Sequence, residues 1–299
     1  MLNRIFSAGF TAFFLFFGAS MTRAQSDLFA PGTQPQLVSN QFSFTEGPAA
    51  DKKGDIYFTD QPNNRIWKYD TEGKLTLFME GAGRSNGMYF DRKGNLLSCA
   101  DEENQLWSIS RDKKITVLLR DLNGENLNGP NDLWAHPRGG IYFTDPLYPR
   151  PWWKPGLQHV KDENVYYLPE GKHQPIVVDS DIEKPNGIIG TPDGKYLFVA
   201  DIKGNKTYQY EIKKDGTLQN RRLFAEQGSD GMTLDERGNL YLTGKGVTVY
   251  DKSGKKIAHI DVPANWTANV CFGGKHLNKL FITASESVFV MEMLVKGIR

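Results

Sequence analysis

Asp51-Lys-Lys-Gly54-Asp-Ile-Tyr-Phe-Thr-Asp60 decides the fold, because versions of it recur along the chain. It returns as Asp91-Arg-Lys-Gly94-Asn-Leu-Leu-Ser-Cys-Ala-Asp101, His136-Pro-Arg-Gly139-Gly-Ile-Tyr-Phe-Thr-Asp145, Asp193-Gly194-Lys-Tyr-Leu-Phe-Val-Ala-Asp201 and Asp235-Glu-Arg-Gly238-Asn-Leu-Tyr-Leu-Thr-Gly244. A weaker sixth copy runs from Gly273 to Ala284. In each copy a turn is followed by an alternating β-branched and aromatic run, which reads as a strand. Further strand-like runs trail it, such as Arg65-Ile-Trp-Lys-Tyr69 and Leu75-Thr-Leu-Phe78, and helical periodicity is absent. Three or four strands per repeat of about 40–50 residues describes a propeller blade. The chain is therefore expected to be an all-β, six-bladed β-propeller over residues 36–299. Its last repeat is one strand short, with runs at 269–272, 279–284 and 287–293, so a segment near residues 36–42 should supply the missing strand and close the ring.

The 299 residues carry a formal charge of +1, with 24% charged and 12% aromatic residues, which excludes a disordered chain and leaves no basic footprint for nucleic acid. Residues 1–24 have the layout of a signal peptide: Arg4, an apolar run from Ile5 to Gly18, then Thr22 and Ala24 before a cut. The alternative is a membrane anchor, but the run is shorter than the roughly 20 residues a spanning helix needs. An exported protein, periplasmic or secreted, with no stable membrane insertion after cleavage, is expected, and residues 25–35 read as a linker. Without Arg4 and Arg23 the chain has 34 basic and 35 acidic residues, a net of −1. Cys99 and Cys271 lie in apolar strand-like runs, where buried free thiols are expected rather than a disulfide.

Just before each turn stands a polar segment: Thr45-Glu46-Gly47-Pro48, Ser85-Asn86-Gly87, Pro130-Asn131-Asp132, Pro185-Asn186-Gly187, Ser229-Asp230-Gly231 and Ala268-Asn269-Val270. From each leading acid or amide to the end of the following strand is 14 or 15 residues, so the six share one register. Equivalent positions of successive blades fall on a circle about the axis. Glu46, Asn86, Asn131, Asn186, Asp230 and Asn269 would then converge at one mouth, where burial is costly unless something satisfies them. Asn-Gly and Asp-Gly are also ordinary turn dipeptides, but turns alone do not require acids at two of six registered positions. Hard oxygen donors suit Ca²⁺, and such a site also admits Zn²⁺, Mn²⁺ or Mg²⁺.

At these residues the chain resembles the gluconolactonase, senescence marker protein and luciferin-regenerating enzyme family of calcium-dependent six-bladed propellers. The resemblance covers roughly residues 40–296 and rests on Phe44-Thr-Glu-Gly-Pro48, Gly129-Pro-Asn-Asp132, Pro185-Asn-Gly187, Asp230-Gly231 and Asn269-Val-Cys-Phe-Gly-Gly274. It implies a Ca²⁺ held by Glu46, Asn131, Asn186 and Asp230, with Asp230 also activating water, and hydrolysis of a sugar lactone such as glucono-1,5-lactone. An arginine that some animal members carry two residues before the second ligand is Gly129 here, so substrate grip must come from elsewhere. A calcium-dependent phosphotriesterase and a non-catalytic binding propeller are the alternatives.

Asn86, Asp132 and Asn269 are further candidates for contacting substrate. The third repeat is the longest, and its excess, Pro146-Leu-Tyr-Pro-Arg-Pro-Trp-Trp-Lys-Pro-Gly156, holds too much Pro for strands. It reads either as an aromatic flap, with Tyr148, Trp152 or Trp153 on a sugar ring and Arg150 on a hydroxyl or carboxylate, or as a self-packed surface loop. Gly83-Arg-Ser85-Asn-Gly87 matches G-x-S-x-G but lacks the following helix, so Ser85 is not expected to be a nucleophile. The five His show no metal-site spacing and are expected to be solvated. The expected partner is a small-molecule lactone, with no nucleic acid, and the chain a monomer or weak oligomer.

Overall fold

In the computed structural model, residues 27–298 are described; the signal-peptide reading of residues 1–24 lies outside them. They form six four-stranded antiparallel sheets, a six-bladed β-propeller with a single short helical turn at Gln61–Asn63. Five blades are built from four consecutive strands each, and blade 1 sets the pattern with Thr45–Ala50, Ile56–Asp60, Arg65–Tyr69 and Leu75–Glu80 running from axis to rim. The innermost strands of the other five blades are Ser85–Phe90, Leu133–Ala135, Pro185–Gly190, Met232–Leu234 and Asn269–Gly273. Among the described residues no helix is long and apolar enough to cross a membrane.

Blade 6 contributes Asn269–Gly273, Lys279–Ala284 and Ser287–Glu292, and its outer strand is Gln36–Ser39 from the other end of the chain. Gln36 pairs with Val290, Leu37 with Phe289 and Ser39 with Val288, so the closing strand is the predicted one, shorter than the predicted span. The segment preceding it is packed as well: Leu28 and Phe29 are buried on blade 6 beside Met293 and Val295, and Leu294 N donates to Leu28 O.

Strand composition follows position in the blade. Second strands such as Ile141–Asp145 and Leu240–Gly244 are buried throughout because neighbouring blades cover both faces, whereas the rim strand Leu75–Glu80 is only partly covered. The apolar runs of the repeat are therefore continuous where blades stack and broken at the rim. Cys99 and Cys271 are free and buried, as expected. The expectation of solvated histidines fails at His136, which is buried against Trp134 and Tyr142 because its blade packs it over Gly194 of the next. Ser85 opens a strand, its hydroxyl held by Ala82 O and Ser98, with no helix behind it.

One hydroxyl reinforces the backbone hydrogen bonds, such as Thr45 N to Ser285 O and Gly274 N to Gly54 O, that cross the seam between first and last blades. Thr45 Oγ1 donates to the carbonyls of Ser285 and Ser287 at 3.1 and 2.9 Å and accepts from Ala284 N at 3.1 Å. Thr45→Val keeps the shape and strands these buried groups, so it should cost about 1–3 kcal/mol and lower Tm by several degrees in scanning calorimetry. An unchanged Tm would contradict the seam.

Candidate functional site

Glu46, Asn86, Asn131, Asn186, Asp230 and Asn269 all stand at or just before the starts of innermost strands; five are buried and Asp230 is half-buried. The backbone around them is crowded. A Cβ on Gly47, whose φ is +47°, would lie 2.1 Å from Asn86 O, and one on Gly231 would lie 2.0 Å from Asn269 Cγ. In blades 1, 2, 4 and 5 the leading residue is followed by glycine, which lets neighbouring blades approach closely, and in blade 6 by Val270. In blade 3 that position is Asp132, whose Oδ1 reaches to where a Cβ on Gly87 would be, 2.4 Å away.

Two kinds of contact hold the ring in place. Threonines of second strands donate across the blade seam to the start of the next inner strand: Thr59 to Asn86 O at 3.3 Å, Thr144 to Asn186 O at 2.8 Å and Thr243 to Ala268 O at 2.8 Å. The acids that follow fasten the loop entering their own blade. Asp60 accepts from Ser43 N and Phe44 N, Asp145 from Asn128 N and Gly129 N, and Asp201 from Glu183 N and Lys184 N. The Asp that ends the repeat is thus a fastening device for Glu46, Asn131 and Asn186 on the adjacent strands.

Inside the ring the electrostatics are unfavourable. Burial, then the charge of Asp230, pushes the Glu46 carboxyl well above the usual range, although Gly47 N donates to its Oε2 at 3.0 Å. Burial likewise raises Asp230 to about 6, against a 2.6 Å hydrogen bond from Trp266 Nε1. Asp132 is raised to about 7, again chiefly by burial. The Oδ1 atoms of Asn86 and Asn186 are buried with no hydrogen-bond partner. A hard cation taking oxygen ligands fits this set: two carboxylates that repel each other and amide oxygens with unused lone pairs. Among the described residues no three His, Cys, Asp or Glu side chains gather as a ligand group, so the nitrogen and sulfur donors usual for structural zinc are not assembled.

The 146–156 loop is docked onto the mouth, and its residues divide. Tyr148 OH accepts from Asn186 Nδ2 at 3.2 Å, touching the ring itself. Arg150 Nε pairs with buried Asp101 Oδ2 at 2.7 Å, and its guanidinium lies over the rings of Tyr148 and Trp152 at 5.7 and 5.6 Å. Arg84 covers Trp152 at 4.8 Å. Trp153 is part of the wall: its Nε1 donates to Asp101 O at 2.7 Å, it packs on His159, and it fills the space beside Gly129, where a Cβ would meet it at 3.0 Å. The missing side chain at Gly129 is what admits this loop. Neither half of the earlier alternative describes it fully, since Trp153 packs the loop down while Tyr148 reaches the ring.

Below the ring the axis widens into a cavity of about 500 Å³ with Ala49, Met88, Leu133, Ile188, Met232 and Val270 on its wall and Asp132 and Asn269 beside it. Sequence reasoning missed Trp266 and Asp101. Trp266 lies outside the repeated segment and Asp101 ends one copy of it without its role showing there, and each acts on a residue at least 36 positions away, Asp230 and Arg150 respectively.

Comparison with known proteins agrees with this arrangement. A curated gluconolactonase of Zymomonas mobilis is 24% identical over a match covering 86% of this chain and 80% of that protein. The 6-deoxy-6-sulfogluconolactonase of Pseudomonas putida is 29% identical over a match spanning about half of each, 46% of this chain and 52% of that one. The solved gluconolactonase of Xanthomonas campestris superposes with a TM-score of 0.82 at 25% identity, covering 90% of this chain and 92% of that one. Residues 44–286 match the family model described as SMP-30/Gluconolactonase/LRE-like region, and the chain belongs to that family.

Proposed function

We propose that the protein, acting after export, hydrolyses a sugar lactone to its aldonic acid, with glucono-1,5-lactone as the reference substrate. In this reading a divalent cation, Ca²⁺ first among them, is held by Glu46, Asn131, Asn186 and Asp230. The observation that carries it is the pair of orphaned amide oxygens, on Asn86 and Asn186, beside the buried Glu46 carboxylate and the half-buried Asp230. An unpaired buried polar group costs about 1–3 kcal/mol, and an oxygen-seeking cation would offset that cost together with the repulsion between Glu46 and Asp230. Lactonase names among relatives point the same way.

Bound there, the cation would polarise the lactone carbonyl and offset the charge that develops on its oxygen. Asp230 accepts a proton from the attacking water as its oxygen bonds to the carbonyl carbon, and returns a proton to the ring oxygen as the C–O bond breaks. Trp266 orients the Asp230 carboxylate through its 2.6 Å hydrogen bond. Tyr148, Arg150 and Trp152 offer a cationic and aromatic wall for the sugar, and Trp153 holds that wall in place. Asp132 and Asn269 support the ring from the axis.

Asp230→Asn should fold and lose kcat by at least about 10²-fold, the usual scale for a general base, in a proton-release assay with and without chelator. Near-normal turnover by the cation-loaded variant would reject the assignment, and turnover of a phosphotriester in preference to aldonolactones would favour the alternative enzyme.

Glu46 and Asp230 also set a pH dependence. Their raised folded pKa values mean that the cation-free folded chain keeps protons the unfolded chain sheds near pH 4. Its stability therefore falls as pH rises from about 4 through about 6. Ca²⁺ must displace these protons, so it should raise Tm more at pH 8 than at pH 5. Thermal melts of chelated and Ca²⁺-loaded protein at both values check this, and a larger shift at pH 5 would contradict it.

A further inference from the structure

Blade 5 breaks the pattern at the rim of the mouth. Where blades 1 to 4 end their second-strand repeat in Asp60, Asp101, Asp145 and Asp201, blade 5 has Gly244, and the turn to its third strand is the single residue Lys245. The tightness of that turn demands Gly246, since a Cβ there would lie 2.4 Å from Ile260 O. With no acid to fasten it from below, the loop entering blade 5 is held from blade 4 instead, by Gly228 N donating to Asn205 Oδ1 at 3.1 Å. A groove of about 350 Å³ lies here between blades 4 and 5, and Asp230 and Trp266 line it together with Lys245.

The other polar groups of this groove are biased toward donors. Asn205 spends its Oδ1 on Gly228 N, and Gln227 spends its Oε1 on the Tyr250 hydroxyl at 2.9 Å, which leaves both NH₂ groups to donate. Lys245 has no ion-pair partner among the described residues. Three other cations at the mouth are matched, Arg84 with Glu102, Arg150 with Asp101 and Lys184 with Glu163. An acceptor-only group is what an ammonium and two amide donors bind best.

We infer that this groove receives an oxyanion carried by the substrate. The preferred lactone bears a carboxylate, sulfonate or phosphate on the carbon farthest from its carbonyl, and Lys245 is the specificity-determining residue that binds it. The inference rests on the lactonase reading, because Asp230 belongs both to the ring and to the groove. Gly244 and the shortened turn make room for the charged arm, and Lys245 is the one lysine or arginine among the described residues that lines the groove.

The test compares kcat/KM for glucono-1,5-lactone, its 6-deoxy-6-sulfonate and its 6-carboxylate in the parent, Lys245→Met and Lys245→Arg, with calorimetric binding of the three corresponding open-chain acids. The ratio of anionic to neutral kcat/KM should exceed about tenfold in the parent, drop about tenfold in Lys245→Met through KM, and recover in Lys245→Arg, as expected for a charge-assisted contact. The two anionic lactones distinguish sulfonate from carboxylate. Turnover of all three lactones with no anionic preference, or a preference unchanged in Lys245→Met, overturns the groove assignment and leaves the lactonase reading standing. Lys245-dependent binding of the anionic acids without turnover of any lactone keeps the groove and overturns the lactonase reading.

Discussion

Everything at the mouth depends on how closely six inner strands approach one axis. Neighbouring blades approach so closely that Gly47 and Gly231 could not carry a side chain without displacing Asn86 O or the Asn269 side chain. This crowding pushes the preceding residues into a small volume, with Glu46 buried and Asp230 half-buried. There the carboxyls are driven above their usual range, and the amide oxygens of Asn86 and Asn186 find no donor. A ring so built is poorly satisfied by protein alone, and that is the physical basis for reading it as a cation site.

The rest of each blade serves to hold that ring. Thr59, Thr144 and Thr243 reach across the seams, and Asp60, Asp145 and Asp201 draw the incoming loops down. Departures from the pattern are as informative as the pattern. Blade 2 gives its acid, Asp101, to Arg150 and Gln61, which secures the aromatic wall, and blade 5 gives up the acid altogether for Gly244 and Lys245. One side of the mouth is thereby walled and the other grooved. A lactone bound between them would meet aromatic faces and paired cations on the first side, and an unpaired ammonium on the second.

The architecture was legible in the chain because a propeller repeats its turn and its second strand in every blade. The spacing of 14 or 15 residues from ring residue to strand end was enough to place Glu46, Asn86, Asn131, Asn186, Asp230 and Asn269 in one register. The missing strand of blade 6 could be counted, and Gln36–Ser39 fills it. The roles of Trp153 and Trp266 could not be read in this way. Each is a lone residue in a loop, and its partner, Asp101 or Asp230, is brought to it by blade packing rather than by any period in the chain. His136 was misread for the same reason, since the neighbour that buries it belongs to the next blade.

By itself, then, the sequence determined the number of blades, the closure of the ring and the six polar residues that face the axis, because these follow from local strand chemistry repeated at a constant interval. Only the tertiary structure decided which of those residues lack partners, which mouth cations are already neutralised and where the wall opens between blades 4 and 5. Those properties are sums over side chains from different blades, and burial, pairing and free volume exist only once the blades are in contact.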